Sequence, residues 1–269
     1  MNTIGFIGSG NMAEALIKGI IAAGLYQPQN VMIADVRAER LEQLAVEYNV
    51  RPAENNKALT DAADVVVLSV KPQNMDDVLN EIKGSGRKNS LVISIAAGIT
   101  TAKIAAALGD VPIVRVMPNT PALVGEGASA LFAKNAGAES MALAMKVFGA
   151  VGKAVVVDRE ELIDTVTAVS GSGPAYYFLL MEEMIKAGQS LGLDAATANQ
   201  LVLQTAKGAA LLAQQADGRG ETPAELRRKV TSPGGTTEAA LKVFAEKDFS
   251  ALVTTALTAA RDRSKELSG

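Results

Sequence analysis

The chain contains no cysteine and no histidine. Without cysteine there is no disulfide, no thiolate metal site and no sulfur nucleophile. Without histidine, imidazole acid–base catalysis and ordinary zinc ligation are excluded, and no metal is expected. Aromatic residues make up only 4%, so an interior drawn from the 48% of hydrophobic residues has to be aliphatic. Basic residues number 26 against 29 acidic ones, a net charge of -3. That balance gives no basic excess to hold a polyanion, so no nucleic-acid partner is expected. No apolar run reaches the ~18 residues of a membrane span. The first residues lack a basic start and are interrupted by Gly5, Gly8 and Gly10, unlike a secretion signal. A soluble, cytoplasmic protein with no membrane partner is the expectation. The chemistry left belongs to carboxylates, lysines, tyrosines and hydroxyls, or to a cofactor that brings its own.

The 269 residues fit one large domain or two ordinary ones. The first half alternates short apolar runs with amphipathic segments. Strands are predicted at 3–7, 31–34, 65–70, 91–95 and 113–117, and further strands at 128–133 and 153–157 around a helix near 139–149. In the helix predicted at 11–23, Met12, Ala15, Leu16, Gly19 and Ile20 share one face. The run VVVLSV is continuously apolar, as in a strand covered on both sides. Strands alternating with helices predict a parallel, doubly wound α/β sheet. After about Glu160 no strand pattern remains. Helices are predicted at 160–169, 174–191, 195–216, 223–230, 236–246 and 249–266. Asp194 and Thr222 are their N-caps, and Pro223 stands at a first turn. The expected domains are residues 1–159 and residues 160–269, with the boundary near 158–162 and no flexible linker. The 195–216 helix is apolar on most sides and has to be buried. So small a helical domain has little interior, which predicts a subunit interface in an intertwined dimer.

Gly8-Ser9-Gly10-Asn11-Met12-Ala13 follows the first strand, ending at Ile7, and opens a helix. This is G-x-G-x-x-A in the context a dinucleotide pyrophosphate needs. Gly8 permits the tight turn, Gly10 admits the phosphates, Ala13 keeps helix and strand close, and the helix N-terminus supplies free N–H groups. Asp35 ends the second strand. A carboxylate there can bond a ribose 2′-hydroxyl and repels a 2′-phosphate, which leans to NADH with NADPH tolerated. Arg37 and Arg40 can instead hold that phosphate or lie as solvated surface. Ser69-Val70-Lys71-Pro72 ends the third strand, where such sheets bind ligands. Lys71 is a cofactor contact, a proton-transfer group or a solvated loop lysine. Ala96 and Ala97 leave room for a flat ring. Asn119, between two prolines, meets the nicotinamide carboxamide or simply shapes its turn.

Two glycine turns open helices in the second half. Ser232-Pro233-Gly234-Gly235-Thr236-Thr237 exposes consecutive amides and hydroxyls that can hold a small carboxylate, or cap a helix without a ligand. Ser170-Gly171-Ser172-Gly173-Pro174 is a second turn of this kind. Tyr176 and Tyr177 follow it.

Together GFIGSGNMAEAL, SVKPQ, SIAAG, RVMPNTPALVGEG, LIDTVTAVSGSGPAYYF and VTSPGGTTEAAL span nearly the whole chain, and it resembles the Δ1-pyrroline-5-carboxylate reductases. The resemblance implies an N-terminal Rossmann domain and a C-terminal all-helical dimerisation domain. It also implies dimers that often assemble into a decamer. It implies NAD(P)H-dependent reduction of 1-pyrroline-5-carboxylate to L-proline, the last step of proline biosynthesis. Carried over, Gly8 to Met12, Asn56 and Ser69 to Pro72 contact the dinucleotide, and Ala96 and Ala97 lie near the nicotinamide. Ser232, Gly234, Gly235, Thr236 and Thr237 cradle the substrate carboxylate, with Thr237 near the ring nitrogen. Glu160 lies close to the substrate. The family often has a small or hydroxyl residue where Asp35 stands, and the loop DGRGETPAEL looks longer than usual.

A cyclic imine is basic enough to be protonated near neutral pH and then accepts hydride readily, so a histidine acid is unnecessary. Thr237 is expected to steady that proton by position, since a free hydroxyl is a poor acid. A hydroxyacid dehydrogenase of the same plan would need a Lys or His acid–base beside its substrate. Before the SPGG turn the helical half offers only Lys186, Lys207 and Lys229. Another imine reductase, or a nucleotide-binding regulator without turnover, are the remaining readings.

Overall fold

The computed structural model describes residues 3–86 and 90–268. They form two compact units. One comprises the residues up to Pro174 together with those from Ala259 onward, and the other runs from Ala175 to Thr258.

In chain order the first unit contains β1 (Ile4–Ile7), α1 (Asn11–Ala22), β2 (Val31–Ala34), α2 (Ala38–Tyr48) and β3 (Arg51–Pro52). Next come α3 (Asn56–Ala62), β4 (Val65–Leu68), α4 (Met75–Glu81), β5 (Leu91–Ser94), α5 (Thr101–Leu108) and β6 (Ile113–Met117). Then follow β7 (Gly127–Lys134), α6 (Ala138–Gly149), β8 (Gly152–Val156) and α7 (Leu162–Val166). The strands lie in one sheet in the order β3-β2-β1-β4-β5-β6-β7-β8. The reversal of order at β1 and β4 puts a crevice at the carboxyl ends of these two strands, where open α/β sheets take ligands.

Every residue of β1, β2, β4 and β5 is buried. Successive side chains supply opposite faces. Phe6, Ile33, Val65, Val67 and Ile93 join α1 and α6 in one core. Ile7, Met32, Val66, Leu68 and Val92 join α3, α4 and α5 in the other. Each fully buried Val or Leu contributes about 1.5–3 kcal/mol, which is why the uninterrupted run of β4 has to lie at the centre.

The sheet is not parallel throughout, as the alternation predicted. β6 and β7 pair antiparallel, with Met117 opposite Ala130, and β7 then pairs parallel with β8. The prolyl segment between β6 and β7 is too short for the helical crossover that a parallel neighbour requires, so the chain returns directly. β3, α3, α4 and α5 are additional to the predicted elements.

The boundary expected near 158–162 lies within the first unit. Ile163 and Asp164 of α7 are buried there, and Asp164 accepts a hydrogen bond from Ser264 Oγ at 2.7 Å. Residues 167–171, which span the expected end of the helix at 160–169 and the first two residues of the glycine turn, form a wide π-helical turn after α7. Ser172 N–H bonds the Thr167 carbonyl five residues back at 2.7 Å. The side-chain hydroxyls of Thr167 and Ser170 bond the carbonyls of Ile163 and Val166. The next helix, α8 (Gly173–Ser190), begins at once.

The second unit holds most of α8, then α9 (Ala195–Asp217), α10 (Pro223–Lys229), α11 (Thr236–Glu246) and the first half of α12 (Phe249–Ser268). Asp194 caps α9 by accepting from Thr197 N–H at 3.0 Å. Thr222 and Glu225 form a reciprocal capping box on α10, with Pro223 in its first turn. In α9 only Ala198, Val202 and Ala216 are buried. Leu201, Leu203, Leu211 and Leu212 are exposed on it, as are Phe178 and Leu179 on α8 and Leu252 on α12.

Candidate active site

After β1 the chain turns at Gly8 with φ +89°. A Cβ there would lie 2.8 Å from Val70 Cγ1 and 2.9 Å from the Ser69 carbonyl oxygen, so both dihedral and neighbours require glycine. Ser69 Oγ donates to the Gly8 carbonyl at 2.6 Å and to that of Ile7 at 3.0 Å. This ties the turn to the end of β4. Gly10 precedes α1 in extended backbone, and a Cβ on it would meet nothing within 4 Å. Glu14 N–H to Gly10 C=O, 3.0 Å, is the first bond of the helix. The N–H groups of Asn11, Met12 and Ala13 therefore have no intrahelical acceptor. An open space rimmed by such amides at a helix N-terminus fits a pyrophosphate.

Ser9 is fully buried, and its N–H is held by Asp35 Oδ2 at 2.7 Å. Arg37 donates to the same carboxylate from its backbone N–H (3.0 Å), Nε (2.9 Å) and a terminal nitrogen (3.0 Å). Burial pushes the Asp35 pKa up. The Arg37 fork and the two amides more than reverse this and bring it down to about 2. The sequence suggested Asp35 as a direct ribose ligand. Its side chain is in fact only 7% exposed, and both oxygens already accept from the protein, while Arg37 is 59% exposed. The two arginines also differ. Arg40 Nε bonds the Ser9 carbonyl at 2.8 Å and the guanidinium pairs with Glu14, so it braces the loop. Arg37 alone of the pair faces outward. Between Asp35 and Arg37 lies Val36, almost wholly exposed, which sequence reading passed over. An apolar residue in so charged a stretch was the available signal.

Lys71 is exposed. Its carbonyl accepts from Asn74 N–H at 3.0 Å, and its side chain points to no hydrogen-bond or ion-pair partner among the described residues. Pro72 opens a 3-10 turn, Pro72–Asn74. Ala96 is buried and Ala97 half-buried in the turn after β5, which Ile95 N–H ties to the Leu68 carbonyl at 3.1 Å. Asn56 begins α3, and its side-chain Nδ2 donates to Glu81 at 2.7 Å. Asn119 departs from the nicotinamide role. Its Oδ1 accepts from Ala128 N–H at 2.8 Å and its Nδ2 donates to the Ser170 carbonyl at 3.0 Å. With 9% exposure it is an internal bracket, the turn-shaping alternative.

Glu160 also departs from its expected place. Its Oε1 accepts from Thr101 N–H at 2.7 Å and from Arg115 at 3.0 Å, and its Oε2 accepts from Thr101 Oγ1 at 2.5 Å. All three donors are protein groups, and the side chain keeps 19% exposure. Arg115, 3% exposed in the middle of β6, went unremarked in the sequence. A lone arginine inside the apolar run IVRVM needs a buried counter-charge, and that was the signal. Removing one partner of such a pair costs about 3–5 kcal/mol.

In the second unit, the turn 232–235 closes through Gly235 N–H to the Ser232 carbonyl at 3.0 Å, and α11 starts at Thr236. The first helical bond, Ala239 N–H to Gly235 C=O at 3.2 Å, leaves the amides of Thr236, Thr237 and Glu238 without intrahelical acceptors. Gly234 N–H is taken by Glu238 Oε2 at 2.7 Å. Beside the turn is a hollow of about 510 Å³, lined by Gly234, Gly235, Glu238 and Lys242 among others. Ser232 and Thr236 are exposed, and Thr237 is half-buried.

Residues 160–267 match the family described as pyrroline-5-carboxylate reductase dimerisation, and residues 3–98 match the coenzyme F420-dependent NADP oxidoreductases. A pyrroline-5-carboxylate reductase of Pseudomonas aeruginosa is 50% identical over 266 residues, covering 98% of this chain and 96% of that protein. The structure of a pyrroline-5-carboxylate reductase from Coxiella burnetii superposes with a TM-score of 0.92 at 41% identity, covering 100% of this chain and 99% of that one. A Plasmodium falciparum pyrroline carboxylate reductase with NADP bound gives a TM-score of 0.87 at 31% identity, covering 100% and 98%. Identity at this level, sustained across the sheet and the helical half alike, makes the chain a member of the pyrroline-5-carboxylate reductase family.

Proposed function

We propose that the protein reduces 1-pyrroline-5-carboxylate to L-proline with NADH or NADPH, the closing step of proline biosynthesis. The carrying observation is the amide-lined space at Gly8–Met12, with no Cβ to fill it, in a chain whose helical half matches a reductase of this substrate. A dinucleotide held there by its pyrophosphate would supply the hydride from its reduced nicotinamide.

The residues bind and orient. The amides of Asn11 and Met12 and the α1 dipole hold the pyrophosphate, with Ile7, Gly8, Ser9 and Gly10 forming the turn. Ser69, Val70, Lys71 and Pro72 border the same crevice, and Asn56 lies at the start of α3. Ala96 and Ala97 leave space for the ring. The amides of residues 236–238 take the substrate carboxylate, with Ser232, Gly234 and Gly235 shaping the turn. The protonated ring nitrogen donates a hydrogen bond to the Thr237 hydroxyl oxygen, which steadies that proton and helps orient the ring. Alignment of donor and acceptor carbons supplies several kcal/mol of the barrier. No imidazole is required, because the protonated imine is itself the electrophile.

Asp35, already bonded to Ser9 and Arg37, supports acceptance of NADH through its repulsion of a 2′-phosphate rather than by bonding the ribose, and the outward Arg37 supports acceptance of NADPH. Their balance gives NADH preference with NADPH tolerated. Residues 1–159 carry the dinucleotide, and residues 160–269 carry the substrate and the dimer contacts. The exposed leucines of α9 support a dimer, and dimers assemble into a decamer. Among the described residues no helix is long and apolar enough to cross a membrane, and a cytoplasmic place suits a biosynthetic reductase. A spectrophotometric assay of dinucleotide oxidation with 1-pyrroline-5-carboxylate, run with each cofactor, tests the proposal. Dinucleotide that stays reduced in both arms overturns it.

A further inference from the structure

The turn between β5 and α5 is pinned at both ends from outside itself. At its far end, Thr101 is the first residue of α5 and is fully buried. Both its N–H and its hydroxyl donate to Glu160, at 2.7 and 2.5 Å. Arg115, buried in β6, anchors that carboxylate from the other side at 3.0 Å. In the middle of the turn, Gly98 has φ +72°, and a Cβ on it would lie 2.6 Å from the Leu267 carbonyl oxygen of α12. Only glycine lets α12 approach this closely. At its near end, Ile95 is bonded to β4. Ala96 and Ile99 of the turn pack into the core beneath α4 and α5. Ala97 and Gly98 between them rely on these three outside contacts, which together with that packing set where the turn stands.

The geometry points to Glu160 as a positioning residue that acts through Thr101, fixing the turn that carries the nicotinamide ring. This rests on the docking of that ring at Ala96 and Ala97 proposed above. Glu160 touches neither ring nor substrate in this role. Its charge is balanced by Arg115 and it lies at the N-terminus of α5, where a carboxylate is favoured by the helix dipole. Thr101 contributes two donors to one carboxylate, which fixes the first turn of α5 in rotation as well as in place.

The experiment separates ring binding from binding of the rest of the dinucleotide. Thr101→Val keeps the side-chain shape and leaves the Glu160–Arg115 pair, but removes the hydroxyl donor. Dissociation constants are measured for NADH and NADPH, and for ADP-ribose and 2′-phospho-ADP-ribose, which lack the ring. The expected result is about tenfold weaker binding of the reduced dinucleotides, the size of one lost bond to a charged acceptor. Both ring-less ligands should stay within about twofold, and Thr101→Ser should restore the loss. Equal weakening of all four ligands, or of none, overturns the positioning role. Retained ADP-ribose binding also reports that the unit has folded. If Thr101→Val does not fold, Thr101→Ala is judged by the same criteria. Ala97→Val tests the docking reading separately, since bulk on the turn should weaken only the ligands with a ring. If Ala97→Val is selective and Thr101→Val is not, docking stands and positioning falls. If Ala97→Val affects no ligand, the docking reading falls and the positioning role with it.

Discussion

Glu238 Oε2 accepts the Gly234 amide hydrogen at 2.7 Å, so the turn proposed to bind the substrate's carboxylate already holds one of the protein's own. The two anions repel each other and draw on neighbouring donors of the same turn. Glu238→Gln should therefore lower KM for 1-pyrroline-5-carboxylate about 3–10-fold with kcat little changed. The same change removes a negative charge from the first turn of α11 and should cost up to about 1 kcal/mol of stability. Steady-state kinetics and a thermal melt check the pair of opposite signs. A raised KM would mean that Glu238 supports the turn.

Thr237→Ala should reduce kcat/KM roughly 10–1000-fold if its hydroxyl bonds the ring nitrogen in the transition state. Dinucleotide affinity should be unchanged, because Thr237 belongs to the other half of the machinery. An unaltered kcat/KM removes Thr237 from the mechanism.

Arg37→Ala should move cofactor preference toward NADH by about tenfold in the ratio of kcat/KM values. The change removes a cation available to a 2′-phosphate and frees Asp35 to accept from a ribose hydroxyl. Arg40→Ala should instead weaken both cofactors alike, since Arg40 braces the loop through Ser9 and Glu14.

The depressed Asp35 pKa fixes a pH window. Its folded-state value of about 2 lies below the ordinary carboxylate value of about 4. The unfolded chain thus binds the proton more readily, and the stabilisation is complete above about pH 4. It is lost as pH falls toward 2. The melting-temperature difference between the native protein and Asp35→Asn should be flat from pH 5 to 8 and shrink below about pH 4. A difference that changes between pH 5 and 8 would contradict the observed bonding.

The outward leucines of α9 should be covered by a second copy. Leu211→Glu combined with Leu212→Glu should give a monomer in sedimentation velocity. A dimer that survives both charges would place the interface elsewhere.

Much of this was legible in the sequence where periodicity was strong. The runs at 31–34 and 113–117 are strands with those bounds, and Asp194 and Thr222 are the caps their residue types announce. What escaped was set by tertiary contacts. α3 and α5 are short, and their ends are fixed by Asn55, Thr100 and Glu160 rather than by long periodic faces. The antiparallel return of β7 follows from a connection length, not from composition. In the site, the glycine spacing marked the turn into α1 and the flanking prolines allowed Asn119 a turn-shaping place, yet no pattern indicated that Glu160 would be taken up internally. Its partners Thr101 and Arg115 are remote along the chain.

Residues 259–268 of α12 belong to the same compact unit as β1, with Ser264 on Asp164 and the Leu267 carbonyl over Gly98. During synthesis, proteins generally fold from the N-terminal side first. Here the nucleotide-holding unit has to wait, because one of its walls is translated after the whole second unit. A nascent chain halted before Ala259 would carry every glycine of the phosphate turn and still present its β5–α5 loop uncovered.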